Sequence, residues 1–454
     1  MIVAAGAIAF VRRDHKPSHP DQWDARVLDI VHFDEQHRGL KFKHPVAVDF
    51  LTPDQYADRT RTADSQLSDK DKKQLQNEAG QLRALGLMTG DVDLLSAENN
   101  LADAGTAAFY DPDTDRVSVR GTDMTVELKV TLAHELTHAL QDQYFDIGSD
   151  REKKFTTSGE SEAFRALVEG DATRIEDEYV QSLSSDQQSE YFDSNSASVD
   201  KSQQQLTDVP VSLQALMAAP YIYGPPFTEI LDADGKQKQV DDAFKNPPVD
   251  DEQEIDPRQF LNKNDPITVD KPPLPAGVKD ESDSGDFGET AWYLMLAERI
   301  PPLQALQAAD GWGGDAYVSY EQDGKTCIDL AWRGDTDKDR DEMQTALDAW
   351  TAAMPPGTAT DQSDGDLLRV HSCDPGKDSN ITINGRSLDA LQVIGVRSYL
   401  MLSAMRDGGL NADDAFSFGE CVVEKVPFDV LVQVNTSQDN PPQSFFDALN
   451  QCQH

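Results

Sequence analysis

Apolar and polar positions along the 454-residue chain keep two rhythms, one helical and one extended. Residues 20–40, with the run WDARVLDIVHF, mix apolar and polar positions at helical spacing and predict a helix. Pro45 to Leu51 alternates as a strand does, and Thr52 opens a short helix at Pro53. Residues 65–88 predict a polar amphipathic helix ending near Gly86. Ala107 to Tyr110 and Arg116 to Arg120 are short strands, and the DPDTD between them is a turn, which makes a hairpin. Thr125 to Tyr144 predicts a strong helix, and a second long helix runs from Gly159 to Leu183. Residues 184–206 are rich in Ser, Gln and Asp and predict a mobile excursion. Leu213 to Leu231 is helical but interrupted by PYIYGPP; residues 245–288 are loop-rich; Glu289 to Arg299 is helical. After Trp312 the rhythm changes to short strands around one helix, at Tyr317–Tyr320, Thr326–Trp332, Asp341–Ala353 and Leu367–Ser372.

Charge narrows the function classes. The chain carries 82 acidic and 40 basic residues, a formal net charge of −42. Such a chain is repelled by the phosphates of nucleic acid and by an anionic membrane face. Its charge favours solubility, including at high salt, where self-repulsion is screened. No segment reaches the roughly 18–20 apolar residues that span a bilayer. Met1 to Val11, followed by Arg12 and Arg13, is too short to span and lacks the basic start and cleavage site of a signal peptide. It reads equally as the tail of an export or anchor segment and as a first helix or loose end. Cys327, Cys373, Cys421 and Cys452 all lie in the last third, which suggests two disulfides and an oxidising compartment. Of three pairings, Cys327–Cys373 and Cys421–Cys452 are preferred because each closes a moderate loop.

The candidate chemistry lies at His134-Glu135-Leu136-Thr137-His138. Positions i and i+4 share a helical face, so His134 and His138 can offer two imidazole nitrogens to one Zn²⁺. Glu135, beside them, can take a proton from a zinc-bound water and pass it to a leaving amine. Leu132, Ala133, Leu136, Ala139 and Leu140 give the helix an apolar face, and no Pro or Gly occurs from Thr122 to Ile147. A catalytic zinc needs a third protein ligand. The ten residues after His138, ALQDQYFDIG, contain no His. A Glu from the following helix is the alternative, among Glu160, Glu162, Glu169, Glu176 and Glu178. Glu169 stands out because its setting, Ala166-Leu167-Val168-Glu169-Gly170-Asp171-Ala172, is apolar and small, and a carboxylate there is costly unless it is paired or binds metal. The other glutamates sit among polar residues and are expected to face solvent.

HELTH followed by a helix bearing V-E-G-D-A resembles the gluzincin branch of zinc peptidases, whose third ligand is a Glu in such a setting. The chain is similar, more specifically, to a largely uncharacterised family of secreted or lipoprotein-type bacterial and archaeal metallopeptidases. The similar segments are 82–95, 107–121, 131–147, 166–173, 219–227 and 311–320, so the resemblance runs from about residue 40 to beyond 330. It implies a zincin-like catalytic domain, Zn²⁺ and peptide-bond hydrolysis. It also implies that a strand before the active helix, here Arg116 to Arg120, binds extended substrate by strand addition. The sequence departs from the family at Asp256, where a His is expected.

Further roles follow by position. Tyr144, Tyr221 and Tyr223 are candidate oxyanion donors, with Tyr223 before Gly224 the choice. Asp142 and Asp171 are candidates for orienting the histidines. Asp335 to Asp339 begins like an EF-hand loop but has Arg340 and Ala346 where Gly and Glu are required. The reading is an α+β protein: an N-terminal extension over 1–40, a mainly helical zincin-like metallopeptidase domain with a small sheet over 41–310, and a small Cys-containing α+β domain over 311–454. Its expected partner is a peptide or protein substrate, and its expected place is extracellular or at the cell envelope, held there through an N-terminal anchor. The alternative is a catalytically degenerate zincin scaffold that binds partners at the envelope.

Overall fold

The computed structural model describes residues 19–453 apart from 106, 279, 380, 381 and 437–440, so the expectations for Met1 to Val11 lie outside the described residues. The first half runs α1 (Leu28–Arg38), β1 (Ala47–Leu51), α2 (Pro53–Thr60), α3 (Asp69–Ala84), α4 (Leu94–Gly105), β2 (Ala108–Asp111), β3 (Arg116–Arg120), α5 (Val126–Phe145), α6 (Ser149–Glu152), α7 (Ser158–Ser182), α8 (Ser185–Gln205) and α9 (Val211–Gly235). Then come α10 (Gln237–Lys245), α11 (Glu252–Ile255), α12 (Pro257–Asn262), β4 (Glu281–Gly285), α13 (Glu289–Ala297), α14 (Pro302–Ala309), β5 (Trp312–Gln322), β6 (Lys325–Gly334), α15 (Asp337–Ala353), β7 (Ala359–Asp364) and β8 (Leu367–Cys373). Four helices close the described chain: α16 (Ser387–Arg406), α17 (Ala412–Lys425), α18 (Phe428–Thr436) and α19 (Gln443–Gln451). The fold is α+β, mainly helical with two small sheets.

The first sheet has the order β1-β3-β2, with β1 parallel and β2 antiparallel to β3. The strand expected to accept substrate, Arg116–Arg120, is therefore the central one. Its ladder groups on both sides are engaged, and β2 is an edge instead. The second sheet, β4-β5-β6-β8-β7, is antiparallel throughout. Disulfides join Cys327–Cys373, across neighbouring strands β6 and β8, and Cys421–Cys452, between α17 and the residue after α19. Two disulfides fit a secreted or extracellular protein. No described helix is long and apolar enough to cross a membrane.

Three apolar clusters position the parts. The bed of the first sheet, with Val117 and Val119, packs under Leu132 and Leu136 of α5 and Ile30 of α1. Phe164 and Leu167 of α7 pack with Phe227 of α9 and Phe244 of α10. The largest core joins Leu82, Tyr223, Trp292, Leu306, Trp332, Trp350 and Ile394. The boundary expected between 310 and 311 falls between α14 and β5, and both flanks share this core.

Two segments differ from the sequence reading. Residues 184–206 are the helix α8 and not a mobile excursion. Ser184 and Gln187 form a capping box at its start. The helix buries no residue; it is held against the body by polar contacts, Ser198 to Glu127 at 2.6 Å and Ser202 to the Ala104 carbonyl at 2.6 Å. PYIYGPP does not interrupt α9, which runs on with Pro220, Pro225 and Pro226 inside it. Each proline removes a donor and disturbs a carbonyl one turn earlier. Here packing overrides that preference, because α9 lies between α7 and α16. The α7 contact is backbone on backbone: a Cβ on Gly170 would stand 2.2 Å from the Gly224 carbonyl oxygen, and one on Gly224 2.3 Å from that of Ala166.

Candidate metal centre

Helix α5 starts at Thr125, whose side chain accepts from the Leu128 N–H, and runs unbroken through the motif. Its apolar stripe is fixed on the first sheet, so the opposite face, with His134 and His138, turns toward α7. Helix α7 starts with a capping box between Thr157 and Glu160, which uses Glu160 up at the helix end. Close packing against α9 then aligns Glu169 with the two histidines. Glu169 Oε2 lies 3.2 Å from His134 Nε2 and 3.4 Å from His138 Nε2. One ligand atom from each residue falls within 4.8 Å of the others, so the group could hold a metal ion.

The imidazoles are oriented from behind. His134 Nδ1 lies 3.0 Å from Glu176 Oε2, and His138 Nδ1 lies 3.0 Å from Gln141 Oε1. Those oxygens only accept, so each Nδ1 carries a proton and each Nε2 is aimed at the cluster. Gln141 is itself fixed, donating to the Val168 carbonyl at 3.1 Å and to Asp171 Oδ2 at 2.9 Å. Asp171 is fully buried and held by Arg38 at 2.6 Å and Arg174 at 2.9 Å. Burial alone would push Glu169 up, but His138 and His134 hold its carboxyl well below the usual range. Burial likewise opposes charge on both imidazoles, and the facing carboxylates outweigh it and raise them.

Glu135 is buried beside the cluster, and its Oε2 accepts from the Tyr110 N–H of the edge strand β2 at 2.7 Å. Burial pushes it above the ordinary glutamate value while the two imidazoles pull it down. Tyr110 is anchored through its hydroxyl to Asp142 at 2.8 Å. Tyr221 donates to Glu169 Oε1 at 2.9 Å, and about half of its surface stays exposed. Arg165, one turn before Glu169, stands beside Tyr221 and Glu169.

The sequence-predicted residues thus divide. His134, Glu135, His138 and Glu169 come together. Tyr223 does not: it is 3% exposed in the main core, beside Asp251 and Glu254, and Tyr221 takes the place at the cluster. The reason is angular, since two residues turn a helix by about 200°. Tyr144 bonds the Lys41 carbonyl at 2.7 Å. Asp171 reaches His138 only through Gln141, and Asp142 serves Tyr110. Glu176 faces His134 and not solvent, and Glu178 pairs with His37 and Arg174. Sequence reasoning passed over Gln141 and Arg165 and turned Glu176, one of its candidate ligands, toward solvent, yet spacing carried the signal: i+3 from His138 for Gln141, and i+7 and i−4 from Glu169 for Glu176 and Arg165. Asp256 caps α12 and pairs with Arg258 at 2.8 Å, apart from the cluster.

A protein family described as a domain of unknown function (DUF8575) matches residues 275–393, roughly a quarter of the chain, from before β4 into α16. None of the cluster residues lies in that segment. No curated protein and no solved structure matches the chain.

Proposed function

We propose that this chain is a zinc-dependent hydrolase of gluzincin type that cuts peptide bonds outside the cell. The observation that carries the reading is the His134–His138–Glu169 convergence. In a tetrahedron with bonds of about 2.0–2.1 Å, ligand atoms stand about 3.3–3.4 Å apart. The two His-to-Glu169 distances are 3.2 and 3.4 Å. Two imidazole nitrogens and one carboxylate oxygen, with the fourth position left over, are the donor set of a catalytic zinc site. Zinc, when bound there, supplies Lewis acidity toward a peptide carbonyl and toward water.

The chain's own residues do the rest. Glu135 takes a proton from the attacking water and hands it to the leaving amine nitrogen. The Tyr110 N–H holds its carboxylate in place for both transfers. The Tyr221 hydroxyl, turned from Glu169 Oε1 to the substrate, donates its one proton to the developing oxyanion, the role the sequence reading gave to Tyr223. Strand β2, the sheet edge beside α5, takes the extended substrate in place of β3, through the ladder groups that the Tyr110 N–H bond to Glu135 leaves free. The two disulfides support an extracellular or envelope workplace. The test measures zinc by elemental mass spectrometry and cleavage of an unfolded protein substrate. Near one zinc per chain, with cleavage in the wild type and about 10²–10⁴-fold less in zinc-loaded Glu135→Gln, is the expected result. A wild type that takes up no zinc, or a fully active Glu135→Gln, overturns the reading.

A further inference from the structure

Strands β5, β6 and β8 lie side by side, and one face of them carries Tyr320, Cys327, Asp329, His371 and Cys373. Alternation dictates this, because residues two apart on a strand share a face. The register then sets Tyr320 and Cys373 on either side of Cys327, and His371 opposite Asp329. The Asp374 N–H bonds the Thr326 carbonyl at 2.8 Å, one place outside the cysteine pair. Cys327 and Cys373 therefore sit at a non-hydrogen-bonded position, where facing side chains come closest, and they are joined as a disulfide.

The sulfur on β8 has chemical company. His371 Nε2 lies 3.5 Å from Cys373 Sγ, and His371 Nδ1 lies 2.6 Å from Asp329 Oδ1. Asp329 is itself fixed by the Tyr320 hydroxyl, which donates to its Oδ2 at 3.0 Å. A carboxylate only accepts, so Nδ1 carries a proton and Nε2 is aimed at the sulfur. Asp329 is the charged group opposite His371 on β6, and β7 places the uncharged Thr360 on the other side. The hydrogen bond to Asp329 holds the imidazole above its ordinary value, which favours a proton on Nε2 as well.

The two sulfurs differ in access. Cys327 is 1% exposed and packs with Val318 and Tyr320, under the partly buried Leu274 and Val278. Cys373 is only partly buried, and 43% of the His371 side chain is open to solvent. An accessible sulfur beside an imidazolium, with an inaccessible sulfur behind it, suits exchange with thiols. The cation stabilises the first sulfur as thiolate, and the apolar setting keeps the second protonated. The other disulfide, Cys421–Cys452, lacks this arrangement: among the described residues no hydrogen bond reaches either of its sulfurs.

We propose that Cys327–Cys373 is a thiol–disulfide exchange site that takes two electrons from external thiols, with Cys373 the attacked sulfur. A thiolate bonds to Cys373 Sγ and the bond to Cys327 breaks; Cys327 leaves and takes up the proton that the attacking thiol shed. A second thiolate attacks the external sulfur of this mixed disulfide, and Cys373 leaves as a thiolate held by His371 Nε2–H. The two thiols end as one disulfide, and the second thiol's proton goes to solvent. All five residues lie within 275–393, the segment that matches the family of unknown function and holds none of the metal cluster, so the site stands apart from the peptidase reading.

Reduced and oxidised glutathione, mixed in set ratios, probe the folded full-length protein. Acid quenching, alkylation and peptide mass spectrometry then count the state of each cysteine. Cys327–Cys373 is expected to open at a [GSH]²/[GSSG] at least about ten-fold lower than Cys421–Cys452 requires, with trapped glutathione on Cys373 and not on Cys327. In His371→Asn that midpoint is expected to rise about ten-fold, the effect of moving a thiol by roughly one pKa unit. Equal midpoints for the two disulfides overturn the site. So does glutathione trapped on Cys327, and so does a midpoint that His371→Asn leaves unmoved. If that variant loses its native circular dichroism, the wild-type midpoints and the position of the trapped glutathione decide.

Discussion

Two regions of this molecule bury carboxylates, and they do so in opposite company. At the α5–α7 cluster Glu169 meets two imidazoles, and Asp171 meets two arginines and a glutamine. Around α11, Asp250, Glu252 and Glu254 have other carboxylates as their charged neighbours, and Asp251 among them is held by the Glu289 and Thr290 N–H groups at the start of α13. Burial raises every carboxyl alike; the neighbours decide whether it keeps its charge. Glu169 is held well below the ordinary range despite burial, whereas burial and the facing carboxylates push Asp250 to about 7 and Glu252 to about 10. The first region could hold a metal ion with its charge already expressed. The second keeps part of its negative charge latent until a rise in pH draws it out.

The largest effect should come from breaking the first region. Glu169→Ala is expected to take bound zinc from near one per chain to none, read by elemental mass spectrometry. Stoichiometric zinc in that variant would send the third-ligand assignment elsewhere. Next come the backbone contacts that bring α7 to its place. Gly170→Ala puts a methyl group into the Gly224 carbonyl and should destabilise by about 3 kcal/mol in urea unfolding. A change below about 0.5 kcal/mol would mean that the two helices are not held in contact. Glu176→Gln keeps the ligands and loosens His134 from behind. It should weaken zinc about 10–100-fold in competition with a chelator, while unchanged affinity would reduce Glu176 to a bystander.

The smallest effect sharpens the second region. Glu252 has a folded-state value raised to about 10 against an ordinary 4.5. Between those values the folded chain binds a proton that the unfolded chain does not, so this group takes away stability as pH rises from about 4.5 toward 10. Glu252→Gln removes that loss. Its melting midpoint should exceed that of the wild type by a few degrees at pH 8, and the gain should fade toward pH 4.5. A gain that does not depend on pH would deny the carboxylate cluster its electrostatic character.

Much of the candidate centre was legible because helices write their faces at fixed spacing. His134 and His138 at i, i+4, and Glu169 as the acid in a small apolar stripe, needed only periodicity and the penalty for burying charge. Glu176 was written in the same code, two turns beyond Glu169, but its polar neighbours Asp177 and Glu178 gave no sign of which face it took. The cysteine pairs are the ones that the preference for moderate loops favoured among three possible pairings. The unbroken α9 and the helical α8 were not legible, because propensity is a local preference and both were decided by what lies alongside: α7 and α16 for one, polar contacts to Glu127 and Ala104 for the other.

The sequence by itself determined the elements that carry their own period: the long helices α5 and α7, the β2–β3 hairpin, the acidic balance and the ligand spacing within each helix. The tertiary structure alone decided which face met which. It put Tyr221 and not Tyr223 at Glu169, made β3 central and β2 the edge, ran α9 through three prolines, and gathered four carboxylates around α11. Periodicity fixes positions around one axis, but which axes pack together depends on side chains and backbones far apart in the chain, such as Gly170 against Gly224, and no local pattern records that contact.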